Sequence, residues 1–313
     1  MNFAQLPGWP GENPAAALPP LLKSCAAPRS GPAAVRWAAA CAAAAALPAR
    51  PDAATARAFL ERYFRPHALG TGMLTGYYEP ELRGALRRGG AFQVPLHALP
   101  PDGPLRRLDR AAIERGGLAG RGLELVFVDD PVDAFFLHIQ GSGRVVLRDG
   151  RVLRLGFAGR NAHAYHAIGR SLIERGAIPR EEMSMQAIRA WLAAAPPAEA
   201  VALMRENPAY IFFRPLTGLA PQEGPAGAQG VPLTPGRSLA VDRAFVPLGA
   251  PVFIASRDPV DGTPIRRVVV AQDTGSAIRD QARADLFWGW GAAAATRAGL
   301  MREDAAMFVL LPR

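Results

Sequence analysis

The segment "SLAVDRAFVPLGAPVFIAS", residues 238–256, decides the fold that the sequence predicts. Short runs of valine, leucine, isoleucine and phenylalanine are separated here by proline and glycine, which is the pattern of brief strands joined by turns. The segments "IRRVVVAQDTG" (265–275) and "AMFVLLP" (306–312) continue the pattern. Short strands without intervening helices favour an all-β barrel over βαβ units. We therefore predict a β-barrel in the C-terminal part of the chain.

The upstream sequence predicts a helical segment and then more strands. Residues 15–65 are alanine-rich and predict helices, whereas residues 70–82, "GTGMLTGYYEPEL", predict strand structure. Asp149-Gly150 stands between two valine- and leucine-rich runs and predicts a hairpin from Arg144 to Phe157. Residues 215–236 are rich in glycine and proline and predict a long loop.

Three further elements are predicted between these regions. The segment "DAFFLHIQGSG" (133–143) is interpreted as a strand that leads into a Gly-Ser-Gly turn. A helix is expected from about His163 to Arg175, and another after Ser184.

Length and charge limit the class of protein. A chain of 313 residues exceeds the usual single core, which favours two domains. The net charge of +9 suits an anionic polymer, but the arginines are scattered and match no nucleic-acid module, so we expect no nucleic-acid partner. No stretch approaches the ~20 apolar residues of a membrane span. The N-terminus also lacks a secretory signal pattern, so the protein is either cytoplasmic or exported by a signal absent from this chain.

The two cysteines, Cys25 and Cys41, lie in sequence that is predicted to be helical. A helical hairpin could join them in a disulfide, which would add roughly 3 kcal/mol in an oxidising compartment. The alternative is a pair of small buried thiols, and the sequence leaves both open.

Other catalytic classes find little support in the sequence. Gly141-Ser142-Gly143 lacks the rest of a dinucleotide or phosphate-binding motif and is interpreted as a tight turn. His163 and His166 would share a helix face, as metal ligands do, but a third ligand at a suitable spacing is not evident. No G-x-S-x-G motif indicates a serine hydrolase. We therefore predict neither a cofactor nor a metal.

The candidate chemistry lies in "VVVAQDTGSAIRDQARADLFWGWG", residues 268–291. Asp273 could simply cap a turn at a strand end, and Asp285 could be a helix N-cap. The functional alternative is that aromatic surroundings disfavour the charged carboxylate, raise its pKa and make it a general acid. Trp288 and Trp290, or Tyr77 and Tyr78, also offer flat faces for sugar rings. Together these features favour cleavage of a glycoside.

Several blocks, taken in order, resemble the membrane-bound lytic transglycosylase A family. They are "LTGYYEPEL", "DAFFLHIQGSG", "SLAVDRAFVPLGAPVFI" and "AQDTGSAIRDQARADLFWG". The resemblance implies a mainly β fold with helices, in which a double-psi β-barrel domain is discontinuous in sequence. That domain would comprise residues 1–80 and 214–313, with a smaller β-rich domain inserted at 81–213 and a glycan groove between the two.

The resemblance also implies a reaction, the cleavage of the β-1,4 bond between N-acetylmuramic acid and N-acetylglucosamine in peptidoglycan. The family closes the muramyl C6 hydroxyl onto C1 and forms a 1,6-anhydro product. Its single catalytic aspartate matches Asp285, which would act as acid and then as base, while Asp273 would support the site. The residues implied in glycan binding are Thr75, Tyr77, Tyr78, Gln140, Gly141, Ser142 and Gly143.

Two alternatives stay open at this point. An inverting hydrolase would use Asp273 to activate water, with carboxyl groups ~6.5 to 9.5 Å apart, and a non-catalytic wall-binding protein would keep the groove alone. Ser276 stands where the family motif more often has glycine, a change that we expect to be tolerated. A member of this family would work in the periplasm, on peptidoglycan strands and beside cell-wall synthesis or remodelling proteins.

Overall fold

A computed structural model describes residues 1–28, 31–220, 222–275 and 277–313, without the side chains of residues 31–33. The described chain forms two compact units, one of Met1–Tyr78 with Leu219–Arg313 and the other of Glu79–Gly218. Its strands are β1 (Phe64–Glu79), β2 (Glu81–Ala85), β3 (Val94–His97), β4 (Glu124–Val128), β5 (Gly143–Leu147), β6 (Val152–Arg160), β7 (Ile211–Pro215), β8 (Ser238–Val241), β9 (Pro251–Arg257), β10 (Pro264–Asp273), β11 (Ala284–Trp290) and β12 (Arg302–Pro312).

Helices connect and cover these strands. They are α1 (Leu18–Ala26), α2 (Gly31–Ala45), α3 (Ala53–Tyr63), α4 (Arg110–Ala112), α5 (Pro131–Gln140), α6 (Ile168–Glu174), α7 (Met185–Ala194), α8 (Pro197–Arg205) and α9 (Gly291–Leu300). The predicted helical segment near the N-terminus is confirmed as α1, α2 and α3. Of the helices in the described residues, none is long and apolar enough to cross a membrane.

The first unit contains a closed barrel with the strand order β1, β11, β8, β10, β9, β12. Strand β8 runs parallel to β10 and antiparallel to β11, and β12 closes the barrel on β1. Val268, Val269 and Val270 are fully buried in succession, so both faces of β10 are covered. The N-terminal segment supplies part of this cover, since Trp9 packs edge-on against Phe253 with ring centroids 5.9 Å apart. The predicted β-barrel is confirmed.

A disulfide joins the first two helices. Cys25 in α1 and Cys41 in α2 are bonded, with their Cα atoms 5.5 Å apart. This resolves the choice that the sequence left open. The bridge fixes α1 against α2, and both helices contribute to the apolar core of the first unit through Leu21 and Trp37.

The second unit contains a six-stranded sheet with the order β3, β4, β2, β5, β6, β7. Strands β5 and β6 form the predicted hairpin around Asp149-Gly150, with Gly143 opposite Leu155. Glu79 is fully buried beside this hairpin and pairs with Arg144 at 2.9 Å and with Arg154 at 3.1 Å. The two guanidinium groups compensate the buried carboxylate.

A second polar cluster in this unit surrounds His97 at the end of β3. The His97 Nδ1 atom lies 2.9 Å from the Tyr210 hydroxyl. Burial lowers the pKa of His97 from 6.5 to about 4. Burial also holds the pKa of His138 well below its usual value, and the nearby charge of Arg110 adds to that effect. Both imidazoles are therefore neutral in the folded protein near neutral pH.

Two predicted elements differ from the structure. The segment 133–143 is not a strand, because its first part belongs to helix α5. The Asp130 side chain caps this helix by accepting the backbone N–H groups of Val132 and Asp133, and Gly141 ends it with a left-handed backbone. The helix expected from about His163 to Arg175 begins only at Ile168, as α6. A run of apolar residues without alternation suits either element, which is why the strand interpretation failed.

Candidate active site

Asp273 and Asp285, two of the three aspartates in the segment 268–291, lie in one row on the barrel wall. Strand β8 has β11 on one side and β10 on the other, and Ala240 is in register with both Asp285 and Asp273. Residues in register point to the same face of a sheet. The two carboxylates therefore share a face, with their Cα atoms about 10 Å apart across two strand spacings. The N-cap alternative for Asp285 is wrong, since this residue lies within a strand.

Asp285 is only partly enclosed, with 24% of its side chain exposed. Its Oδ1 atom accepts hydrogen bonds from the Thr75 hydroxyl and, at 2.6 Å, from the Arg283 guanidinium. In the part of the chain that the structure describes, its Oδ2 atom has no hydrogen-bond partner. Burial raises the pKa of the Asp285 carboxyl, and the neighbouring Arg283 only partly opposes that rise. One oxygen of this carboxyl is thus available to a ligand.

Asp273 is held more tightly. Its Oδ1 atom accepts the backbone N–H groups of Ala228 and Thr274, both at 2.9 Å, and its Oδ2 atom accepts the Tyr77 hydroxyl at 3.0 Å. Burial raises the pKa of Asp273, these three donors lower it, and the charge of Asp285 adds to the rise. Both of its oxygens are therefore already paired within the protein.

The motif "TGYY" brings two side chains of β1 to the aspartates. Thr75 and Tyr77 alternate with Gly76 along the strand, so they share one face. A Cβ atom on Gly76 would lie 2.8 Å from the Trp288 ring, so only glycine lets β1 approach this indole so closely. On the site face, the Tyr77 ring contacts Phe287 with centroids 5.2 Å apart. Burial raises the pKa of Tyr77 well above 10.0, and Asp273 adds to that rise.

The other aromatic residues of these segments are placed differently. Tyr78 is buried, and strand alternation puts it on the face opposite Thr75 and Tyr77. The Arg297 guanidinium lies over the Trp288 ring at 5.6 Å, and the indole N–H of Trp288 donates to the Met301 sulfur. Phe287 is thus the aromatic residue of "DLFWGW" that shares the face of Asp285.

The remaining predicted binding residues belong to the second unit. Gln140 is the last residue of α5, Gly141 caps that helix, and Gly143 begins β5. A Cβ atom on Gly143 would meet the Leu137 side chain at 2.3 Å, which explains glycine at this position by packing alone. Ser142 is half-buried between the two glycines. A glycan-binding role for these four residues stays a prediction.

Arg283 is a site residue that the sequence reasoning missed. It precedes Asp285 by two positions, a spacing that places both side chains on the same face of an extended chain. That spacing was the available signal. His163 and His166 lie outside α6 and bond to the Arg107 carbonyl and the Ser171 hydroxyl, both at 2.8 Å. Ser276 lies outside the described residues, within which no cluster of side chains suited to a metal is found.

The fold and the site define a class of protein: a barrel protein assembled from both ends of its chain, with two partly buried carboxylates in one row on the barrel and an inserted β-rich unit. Residues 73–214 match the family model of the MltA specific insert domain, and residues 237–311 match that of the 3D domain.

Known proteins narrow the class further. The membrane-bound lytic murein transglycosylase A of Vibrio cholerae is 36% identical over 236 residues, which cover 74% of this chain and 62% of that relative. The lytic transglycosylase LtgG of Burkholderia pseudomallei is 41% identical with a TM-score of 0.72, covering 100% of this chain and 94% of that one. The structure of Escherichia coli MltA with bound chitohexaose is 32% identical with a TM-score of 0.77, covering 95% and 88%.

The chain belongs to the MltA family. This confirms the resemblance drawn from the sequence, and the structural likeness confirms the predicted class of fold, a mainly β protein with a double-psi β-barrel and an inserted β-rich domain. The chain spans 62% of the length of the Vibrio cholerae relative.

Proposed function

We propose that this protein is a lytic transglycosylase that cleaves the β-1,4 bond between N-acetylmuramic acid and N-acetylglucosamine in peptidoglycan. The observation that carries the proposal is the contrast between the two carboxyls: among the described residues, Asp285 Oδ2 has no hydrogen-bond partner, whereas both oxygens of Asp273 are paired. Membership of the MltA family supports the reaction class, and the chitohexaose bound to the Escherichia coli protein supports a glycan strand as the ligand.

Asp285 would act twice in the reaction. As an acid it protonates the leaving oxygen of N-acetylglucosamine while the bond to muramyl C1 breaks. As a carboxylate it then accepts the proton of the C6 hydroxyl, whose oxygen bonds to C1 and closes the 1,6-anhydro ring. The carboxyl ends protonated as it began, and no water is consumed. Proton transfer of this kind is typically worth ~10² to 10⁴ in rate, and the raised pKa of Asp285 favours its acid form.

Asp273 would support the site without attacking the substrate. Activation of water in an inverting hydrolase needs a carboxylate oxygen that is free to bind that water. Both oxygens of Asp273 instead accept hydrogen bonds from Ala228, Thr274 and Tyr77. This pairing favours the single-aspartate reaction over two-carboxylate hydrolysis.

The remaining assignments follow from the family. Thr75 and Tyr77, which bond to the aspartates, would border the bound glycan. Tyr78 is buried on the opposite face of the strand, so its geometry does not support the predicted contact with the glycan. Gln140, Gly141, Ser142 and Gly143 would contact it from the inserted domain, whose bounds we place at residues 81–213. We infer that the protein acts in the periplasm or at the periplasmic face of the outer membrane, a location that membership of the MltA family supports, with cell-wall synthesis and remodelling proteins as candidate partners.

The test is Asp285→Asn, assayed on purified sacculi. We expect turnover to fall by two or more orders of magnitude while glycan binding survives, since the amide cannot supply the proton. The exposed Asp304→Asn on β12 makes the same charge change on the same barrel and should retain activity. Products of the unaltered protein should be lighter by one water than hydrolysis products and should take up no labelled oxygen. Full activity of Asp285→Asn would refute the assignment, and labelled reducing ends would indicate a hydrolase.

A further inference from the structure

Gln272, the residue directly before Asp273, occupies a bulge in the pairing of β10 with β8. Ala271 pairs with Leu239, and the next pair is Asp273 with Ala240, so Gln272 is an extra residue. In an unbroken ladder Gln272 would be opposite Ala240, and Asp273 would point to the other face of the sheet. The bulge is therefore what places Asp273 in the row of Asp285.

Buried polar contacts hold the Gln272 side chain, which is 0% exposed. Its Nε2 group donates to the Pro20 carbonyl and to the Ser24 hydroxyl, both at 2.9 Å, and its Oε1 atom accepts the Ser238 hydroxyl at 2.5 Å. Both hydrogens of the amide are thus used. Ser24 is itself 0% exposed and donates to Gln229 Oε1 at 2.8 Å. Helix α1, which carries Ser24, thus connects to the bulge through a largely buried network.

The same network reaches Asp273 through a loop. The Gln229 N–H donates to the Gln272 carbonyl at 3.0 Å, and the preceding residue, Ala228, donates its N–H to Asp273. A Cβ atom on Gly227 would lie 2.5 Å from the Gln272 carbonyl oxygen, so glycine is required for the loop to lie this close. The loop of residues 227–229 thus contacts both the bulge at Gln272 and the Asp273 carboxylate.

We propose that Gln272 is a positioning residue: fixed by Ser24 of α1 and Ser238 of β8, it holds the bulge that sets Asp273 beside Asp285. The proposal rests on the proposed function, since Asp273 matters to turnover only if it supports Asp285. Loss of the Gln272 amide leaves buried polar partners unpaired, so the local structure must rearrange around the bulge. Asp273 would then lose its alignment with Tyr77 and Ala228.

The first measurement is the turnover of Gln272→Leu, because the leucine side chain is similar in size to glutamine but has no polar atoms. We expect kcat to fall at least tenfold with KM changed less than twofold. In an Asp273→Asn background the same substitution should lower kcat by less than a further twofold. The effects of two residues on kcat are not additive when one acts through the other. Ile254→Val, a core change on β9, is the stability control and should leave kcat within twofold.

The second measurement does not depend on activity. In protein labelled with ¹³C at the tyrosine Cζ atom, the Tyr77 signal, assigned with Tyr77→Phe, reports the hydrogen bond of its hydroxyl to Asp273. Gln272→Leu should move this signal toward its position in Asp273→Asn. An unmoved signal would overturn the positioning role, even if Asp285→Asn showed the proposed function to be wrong. A moved signal with unchanged kcat would also overturn it, because the displaced Asp273 would then not matter to turnover.

Discussion

Acid should destabilise the second unit through His97. The ring is buried and neutral, and burial lowers its pKa from 6.5 to about 4. In the unfolded chain His97 binds a proton below about pH 6.5, but in the folded unit it does so only near pH 4. Stability is therefore lost as the pH falls through this window. The loss from His97 alone should be about 2 kcal/mol at pH 5 and about 3 kcal/mol at pH 4, with 1.36 kcal/mol per pKa unit. His138, whose pKa is also lowered, should add to it.

The perturbation that isolates this contribution is His97→Asn, which keeps a polar group for the Tyr210 hydroxyl but cannot titrate. Hydrogen exchange of the Val126 and Val128 amides, in the strand paired with β3, gives the opening free energy at pH 7 and pH 5. The drop in opening free energy from pH 7 to pH 5 should be smaller by about 2 kcal/mol in His97→Asn than in the unaltered protein. Tyr210→Phe is the control, because it removes the hydroxyl partner but leaves His97 titratable. If the opening free energy fell equally between pH 7 and pH 5 in His97→Asn and in the unaltered protein, the reasoning would be refuted.

Two further predictions concern the first unit. Arg283→Gln removes the cation that partly opposes the raised pKa of Asp285, so that pKa should rise further and the high-pH limb of kcat/KM should move to higher pH; an unmoved limb would show that Asp285 is not the titrating acid. The double substitution Cys25→Ser and Cys41→Ser removes the disulfide between residues 16 positions apart. This double variant should have a free energy of unfolding, measured in urea, that is lower by about 3 kcal/mol. A reductant should lower the stability of the unaltered protein but not that of the variant.

The sequence was most informative where local chemistry alone decides the structure. Asp149-Gly150 between two apolar runs could form little other than the hairpin of β5 and β6, and the valine run of β10 forms a barrel strand as predicted. The failure at α5 has a physical cause, since Phe135 and Phe136 in succession suit a buried strand as well as a buried helix. What decides for the helix is the cap of Asp130 at one end and Gly141 at the other.

The two aspartates of the site were predictable from the sequence, but Arg283 and the arrangement of the site were not. Asp273 and Asp285 attracted attention through their neighbours in sequence, yet they share a face only because β8 lies between their strands and pairs with both. The bulge at Gln272 then decides to which face Asp273 points, and it depends on Ser24, far away in the chain. Ala240 stands between the carboxylates with no side chain beyond its methyl group. Ala240 is itself buried, so a branched residue there would have to displace the side chains that cover it and would disturb the alignment of the two aspartates.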